Sequence, residues 1–197
     1  MSAVMQVQAK KIVQTVVWGF FILWPVLLFF SLYSDAFWLF AWGSLALFLL
    51  RLALPPVSSI RVLSVAERVA TLLGAGICVI SLAFKISIAL LWYPVALNIV
   101  LLITCLISLF CRPNIVEFLI QTIHQKESVF REVNENYAKI ATFAWIVFFF
   151  LSSIISALTA LIADPKLWTL WNGIFVYILA GLLTAGEFFV WMRLRKP

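Results

Sequence analysis

Residues 86–110 read "ISIALLWYPVALNIVLLITCLISLF", and none of these side chains carries a charge. An α-helix rises about 1.5 Å per residue, so a run of this length can cross the roughly 30 Å hydrocarbon core of a bilayer. Lipid offers backbone amides no water to bond, which restricts spanning segments to helices and closed barrels. Barrel strands are shorter and alternate in polarity, so this run predicts a membrane-spanning helix.

Five more apolar runs lie at about 12–33, 36–54, 65–84, 138–162 and 166–192. The chain is 65% hydrophobic and 11% charged, and its mean hydropathy is +1.13. A soluble domain of 197 residues could not cover so much apolar surface. We therefore expect an all-α fold, a polytopic bundle of six transmembrane helices that forms a single membrane domain over residues 1–197.

Polar residues between the runs indicate where individual helices begin and end. "SVAE" at 64–67 has the spacing of a capping box, which predicts a helix start at Ser64 with Glu67 three residues on. "ADPK" at 163–166 offers Asp164 as an N-cap and Pro165 as a first helical residue. The third and fourth helices are separated only around Lys85.

The positive charges predict the orientation of the bundle. With six spans both termini lie on one side, and 12 of the 14 Lys and Arg residues fall on that side, all except Lys85 and Lys166. Such an excess marks the cytoplasmic side, so we expect both termini in the cytoplasm. The net charge of +6 then reflects membrane topology and attraction to lipid headgroups, and we predict no nucleic-acid partner.

Residues 112–136, "RPNIVEFLIQTIHQKESVFREVNEN", form the longest polar stretch between two runs. Ile115, Leu119 and Ile123 recur at helical spacing, which predicts an amphipathic connector helix on the cytoplasmic membrane surface. We favour a plain connector, and the alternative is a docking surface for other envelope proteins. His124, the only histidine, lies here and is expected to be solvated.

Three residues within the predicted spans, Pro94, Asn98 and Asn172, are candidates for a structural or a functional role. Pro94 lacks an N–H, so it should kink the fourth helix and leave the Leu90 carbonyl without its usual donor. Asn98 lies one turn further on the same face and could bond to another helix. We favour this kink and interhelical bond over a polar notch that receives a lipid headgroup.

Glu187 is a carboxylate well inside the sixth predicted span, six residues before Arg193. An unpaired charge at that depth is costly, so we expect an ion pair with Lys139, at the start of the fifth span, or with Arg193. The alternative is a carboxylate that binds a proton or a headgroup. One acid without a second acid or a histidine at its depth makes a poor proton relay.

Enzymatic signatures are absent from the sequence. It contains no HExxH motif, no Gly-rich phosphate loop and no pair of carboxylates at catalytic spacing. The spacing of Cys78, Cys105 and Cys111 fits neither a metal site nor a redox pair. We therefore predict no catalytic, cofactor-binding or metal-binding residue.

The second half of the chain resembles a known family. The segments "WYPVALN", "FCRPNIVEFL", "YAKIATFAWIVFFF" and "WNGIFVYILAGLLTAGEFFVWMR", over about residues 90–195, are similar to uncharacterised bacterial inner-membrane proteins found beside fatty-acid-synthase-like genes for aryl polyene lipids. The same half is more distantly similar to the intracellular septation protein A family. The resemblance implies a bacterial inner membrane and a role in envelope biogenesis, and it carries over no catalytic residue.

Three functions remain open at this point. We expect a non-enzymatic accessory or scaffold protein in envelope lipid assembly, with membrane lipids as partners. The first alternative is a small transporter or flippase for an amphipathic lipid, which a cavity at Pro94 and Asn98 would favour. The second is a membrane enzyme that acts on a lipid.

Overall fold

The computed structural model describes residues 19–34, 36–56, 58, 61–111, 115–116 and 135–194. All regular structure in these ranges is helical, which confirms the all-α prediction for this part of the chain. Most of the predicted connector 112–136, including His124, lies outside the described residues, as does the beginning of the first predicted span.

The described elements follow one another in the order α1 (Gly19–Leu32), α2 (Phe37–Ala53), α3 (Arg61–Phe84), a 3₁₀ segment (Ser87–Trp92), α4 (Tyr93–Ser108), α5 (Glu135–Ile162), α6 (Pro165–Leu170), a π-helical segment (Trp171–Phe175) and α7 (Val176–Leu194). The 3₁₀ segment runs directly into α4, and α6 runs through the π-helical segment into α7. The chain therefore forms a small number of long helical stretches.

Four of these stretches are long and apolar enough to cross a membrane: Arg61–Phe84, Ser87–Ser108, Asn136–Ile162 and Pro165–Arg193. Their outer surfaces are covered with exposed Leu, Ile, Val and Phe side chains, as lipid contact requires. The apolar helices α1 and α2 are shorter, and α2 with its 17 residues extends about 25 Å. The structure thus supports a helical membrane protein with four candidate spans.

Two of the predicted helix boundaries are confirmed, and one is wrong. Lys85 adopts a positive φ of 55° after the end of α3, and Asp164 caps α6 by accepting the Lys166 N–H at 2.9 Å. The predicted start at Ser64 is wrong, because Arg61 already belongs to α3 and the Ser64 hydroxyl donates to the Arg61 carbonyl. Glu67 therefore lies well inside the helix, where its side chain faces a neighbouring helix.

Large aromatic side chains form the core between α1, α2, the 3₁₀ segment and α6. The Trp24 ring lies 5.0 Å from Tyr93 and 6.3 Å from Trp168, measured between ring centroids. Both indoles are fully buried, and each has an acceptor: Trp24 donates to the Ser44 hydroxyl at 3.3 Å and Trp168 to the Leu91 carbonyl at 2.9 Å. The core thus combines aromatic packing with two hydrogen bonds between separate elements.

The contact between α2 and α3 depends on the absence of a side chain at Gly74. A Cβ at this position would overlap the ring of Phe48. We expect Gly74→Ala to destabilise the protein by about 1–3 kcal/mol, as overpacking of a close helix contact does. Thermal unfolding in detergent measures the loss.

Gly76 provides the matched control, because it lies on the same helix and a Cβ there would meet no atom within 4 Å. Gly76→Ala should leave the stability unchanged or raise it, since alanine favours a helix over glycine. Equal effects of the two substitutions would contradict this account of the α2–α3 contact.

Candidate functional site

One cavity of the bundle, which we call the inner cavity, lies between α1, α2, α3, α4 and α7. Its volume is about 440 Å³. Most of the wall is apolar and is provided by Phe21, Phe48, Leu63, Ala70, Leu97 and Leu101. Tyr93 and Tyr177 also line it, as do Arg51 and Glu67. The cavity is therefore mostly apolar and charged in one place.

The charged part of the inner cavity is an ion pair between α2 and α3. The guanidinium of Arg51 contacts the carboxylate of Glu67, and the two side chains are only 4% and 15% exposed. Arg51 also donates from Nη1 to the Pro55 carbonyl at 3.1 Å. Each charge is shielded from water and matched by the other, which is the condition under which buried charges are tolerated.

Aromatic rings form the wall on the other side of the inner cavity. Phe48 lies between Phe21, at 4.8 Å, and Tyr93, at 5.2 Å, measured between ring centroids. Tyr93 in turn contacts Trp24 of the core. This wall is therefore continuous with the aromatic core of the bundle, and its rings are packed on both sides.

Asn98 and Asn172 lie outside this cavity, in a buried polar network that joins three elements. Asn98 of α4 donates to the Ser156 hydroxyl of α5 at 3.4 Å, and Ser156 donates to Asn172 Oδ1 at 2.6 Å. The Asn172 amide donates to the Trp168 carbonyl at 3.0 Å and to the Thr159 hydroxyl at 3.4 Å. The expected hydrogen bond from Asn98 to another helix is present. Packed side chains occupy the space that the alternative, a polar notch, would need.

Pro94 lies in the first turn of α4, directly after Tyr93, and not in the middle of an α-helix as predicted. The chain changes there from 3₁₀ to α geometry, and the Leu90 carbonyl accepts the Tyr93 N–H. In the 3₁₀ pattern residue 94 would donate to the Leu91 carbonyl, which proline cannot do. Trp168 donates to that carbonyl instead. Because the proline donates no bond to it, the Leu91 carbonyl can accept from Trp168, and this bond attaches α6 to the 3₁₀ segment.

Glu187 lies in a second cavity, the outer cavity, between α5 and α7. Its volume is about 390 Å³, and Tyr137, Ile140, Ala144 and Val190 also line it. The Tyr137 hydroxyl donates to the Glu187 backbone carbonyl at 2.6 Å and holds the two helices together. Glu187 Oε1 is buried and has no hydrogen-bond partner among the described residues.

The predicted ion pair of Glu187 with Lys139 or Arg193 is wrong. Neither cation forms an ion pair with the carboxylate, and the Arg193 guanidinium lies over the Phe189 ring at 4.6 Å. Arg193 follows Glu187 by six residues, which turns its side chain about 240° around the helix. Lys139 is about 200° from Tyr137, the α5 residue that contacts Glu187. Glu187 and the two cations were expected at similar depths in the membrane, but their side chains lie on different faces of the helices.

Sequence reasoning missed Arg51 and Glu67, which it had assigned to a charged surface and to a helix cap. A signal was present in the spacing. Arg51 follows Ser44 and Phe48 on the buried face of α2, and Glu67 precedes Thr71 and Gly74 on the buried face of α3. Charges that continue a stripe of small and aromatic residues at helical spacing belong to the packed face.

Comparison of this chain with protein families, with curated proteins and with solved structures finds no match. The class of protein is therefore defined by the bundle itself: an all-helical membrane protein with four candidate spans and a buried ion pair beside an apolar cavity.

The Arg51–Glu67 pair generates a prediction for stability. Arg51→Met or Glu67→Gln alone should each destabilise by about 3 kcal/mol, because the remaining charge stays buried without a partner. The double variant should lose clearly less than the sum of the two single losses, since it removes both charges together. Unfolding in detergent measures all three variants against the wild type.

Arg61→Gln is the control, because Arg61 is an exposed cation at the start of the helix that carries Glu67. It should change the stability by well under about 1 kcal/mol. Strictly additive losses at Arg51 and Glu67 would show that the two side chains do not act as a pair.

Proposed function

We propose that this protein is a non-enzymatic accessory protein of bacterial envelope lipid assembly and that it holds one amphipathic lipid in the inner cavity. The observation that carries the proposal is the inner cavity itself, with apolar walls and a single charged place at Arg51 and Glu67. An acyl chain matches such walls, and a polar head matches the ion pair. The resemblance of residues 90–195 to aryl polyene-associated proteins supports a lipid product as the occupant.

Holding a lipid fits the described contacts better than transport does. A cavity at Pro94 and Asn98 would have favoured the transporter alternative, but both residues are buried among packed neighbours. The aromatic wall of the inner cavity is continuous with the core through Tyr93 and Trp24. A wall packed on both sides in this way suits a protein that keeps a lipid in place.

A cavity-filling substitution tests this function. Ala70 lines the inner cavity and is buried, so Ala70→Leu should occupy space that the lipid needs. We expect the wild-type protein, purified in mild detergent, to retain lipid that mass spectrometry of the organic extract identifies. The Ala70→Leu protein should retain much less.

Ala83→Leu is the matched control, because Ala83 is exposed on the same helix and the chemical change is identical. This variant should retain as much lipid as the wild type. An Ala70→Leu protein with wild-type thermal stability and an unchanged lipid content would refute the proposal.

We also propose that six helices cross the bacterial inner membrane and that both termini lie in the cytoplasm. The apolar helices α1 and α2 support the two additional spans, and the distribution of Lys and Arg supports the orientation. Reporter fusions after residue 197 and within 112–136 should be active only with a cytoplasmic reporter. Activity of a periplasmic reporter at either position would overturn the span count.

A further inference from the structure

We propose that the outer cavity binds the ammonium group of a phospholipid headgroup of the ethanolamine type, with Glu187 as its counter-ion. This site is separate from the inner cavity and does not depend on the function proposed for it. Three observations carry the inference: an unmatched carboxylate, an aromatic neighbour, and an entrance on the lipid-facing surface of the bundle.

The carboxylate of Glu187 is placed by the fold and is not neutralised by any described residue. Its Oε1 is shielded from solvent and without a hydrogen-bond partner, and no ion pair reaches it from the described part of the chain. The Tyr137 hydroxyl is already used by the Glu187 backbone carbonyl. The Trp145 side chain hydrogen-bonds to the Glu187 carboxylate but is neutral, so it does not balance the charge. A buried charge in this position is stabilised by a cation that comes from outside the described residues.

The walls of the outer cavity select an ammonium group. An ammonium ion carries three N–H donors and is attracted both by a carboxylate and by the face of an aromatic ring. The cavity offers the Glu187 carboxylate and the ring of Tyr137, and Ala141 and Ala144 also line it. A metal ion would instead require several oxygen ligands, and Glu187 is the only carboxylate among the described residues that line this cavity.

The surroundings of the outer cavity indicate that the ammonium group belongs to a lipid. Ile140 is 70% exposed and Val190 is 46% exposed at its rim, and Phe189, two residues after Glu187 on α7, is 51% exposed. Such side chains are stable in that position only against acyl chains. Glu187 lies about 10 Å from the end of α7, close to the depth at which headgroups meet the hydrocarbon. A phospholipid can therefore reach the carboxylate sideways from the bilayer.

Competition between two lipids with identical acyl chains tests the proposal. The full chain, purified in detergent, is incubated with an equimolar mixture of phosphatidylethanolamine and phosphatidylglycerol, and native mass spectrometry counts the bound lipids. We expect the wild type to prefer phosphatidylethanolamine by roughly tenfold, the factor that a hydrogen bond to a charged group typically contributes. Glu187→Gln should bind the two lipids about equally, because it keeps the shape of the side chain and removes the charge.

Two further variants separate the site from general effects. Asp164→Asn also removes one carboxylate, and asparagine caps a helix as well as aspartate does, so it should keep the preference of the wild type. Ala144→Leu fills the outer cavity without touching the carboxylate and should lose the preference. Ala70→Leu closes only the inner cavity and should keep it, so a failure of the proposed function remains distinguishable from a failure here.

Equal binding of the two lipids by the wild type would overturn the proposal, and it would then favour a cation from elsewhere in the chain or from a soluble partner. A preference that survives both Glu187→Gln and Ala144→Leu would overturn it as well, because it would then arise at another surface. Loss of the preference in both of these variants, with retention in Asp164→Asn and Ala70→Leu, is the result that supports an ammonium site at Glu187.

Discussion

The absence of water around the membrane-embedded part of this chain is the constraint on which its structure depends. A buried backbone or side-chain polar group that finds no partner within the protein is costly there. Pro94 has no N–H to donate to the Leu91 carbonyl, and this carbonyl accepts the indole N–H of Trp168 instead. The amide of Asn172 bonds to two acceptors and its carbonyl accepts from Ser156. Irregular backbone thus occurs where a side chain from another helix completes it.

The same constraint explains why the two buried carboxylates, Glu67 and Glu187, have different roles. Glu67 has an arginine across the helix contact, and the pair is part of a packed interface. Glu187 has neutral neighbours and a cavity. A matched charge contributes to the arrangement of α2 against α3. An unmatched one lowers the stability of the isolated chain and gains from any cation that can reach it. This difference makes one acid structural and the other our candidate binding group.

A feature of this structure can be predicted from the sequence when it depends on residues that are close together in the chain. The helical class, the break at Lys85 and the cap at Asp164 depend on neighbouring residues, and all three were predictable. The Arg51–Glu67 pair depends on which faces of two helices meet, and each residue read alone indicated a surface charge or a cap. For Glu187 the sequence indicated the depth of possible partners, but rotation around the helix axis decides whether they can reach it.

The π-helical segment Trp171–Phe175 determines how α7, which follows it, is rotated about the helix axis. The Val176 N–H bonds to the Trp171 carbonyl, five residues back, so this turn holds one residue more than an α-turn. Trp168 and Glu187 are 19 residues apart, and about 18 residues complete five turns of a regular α-helix. The extra residue offsets this difference, so about five whole turns separate Trp168, which is buried in the core, from Glu187, which lines the outer cavity beside α5. A straight helix of the same sequence would point Glu187 about 100° away from α5.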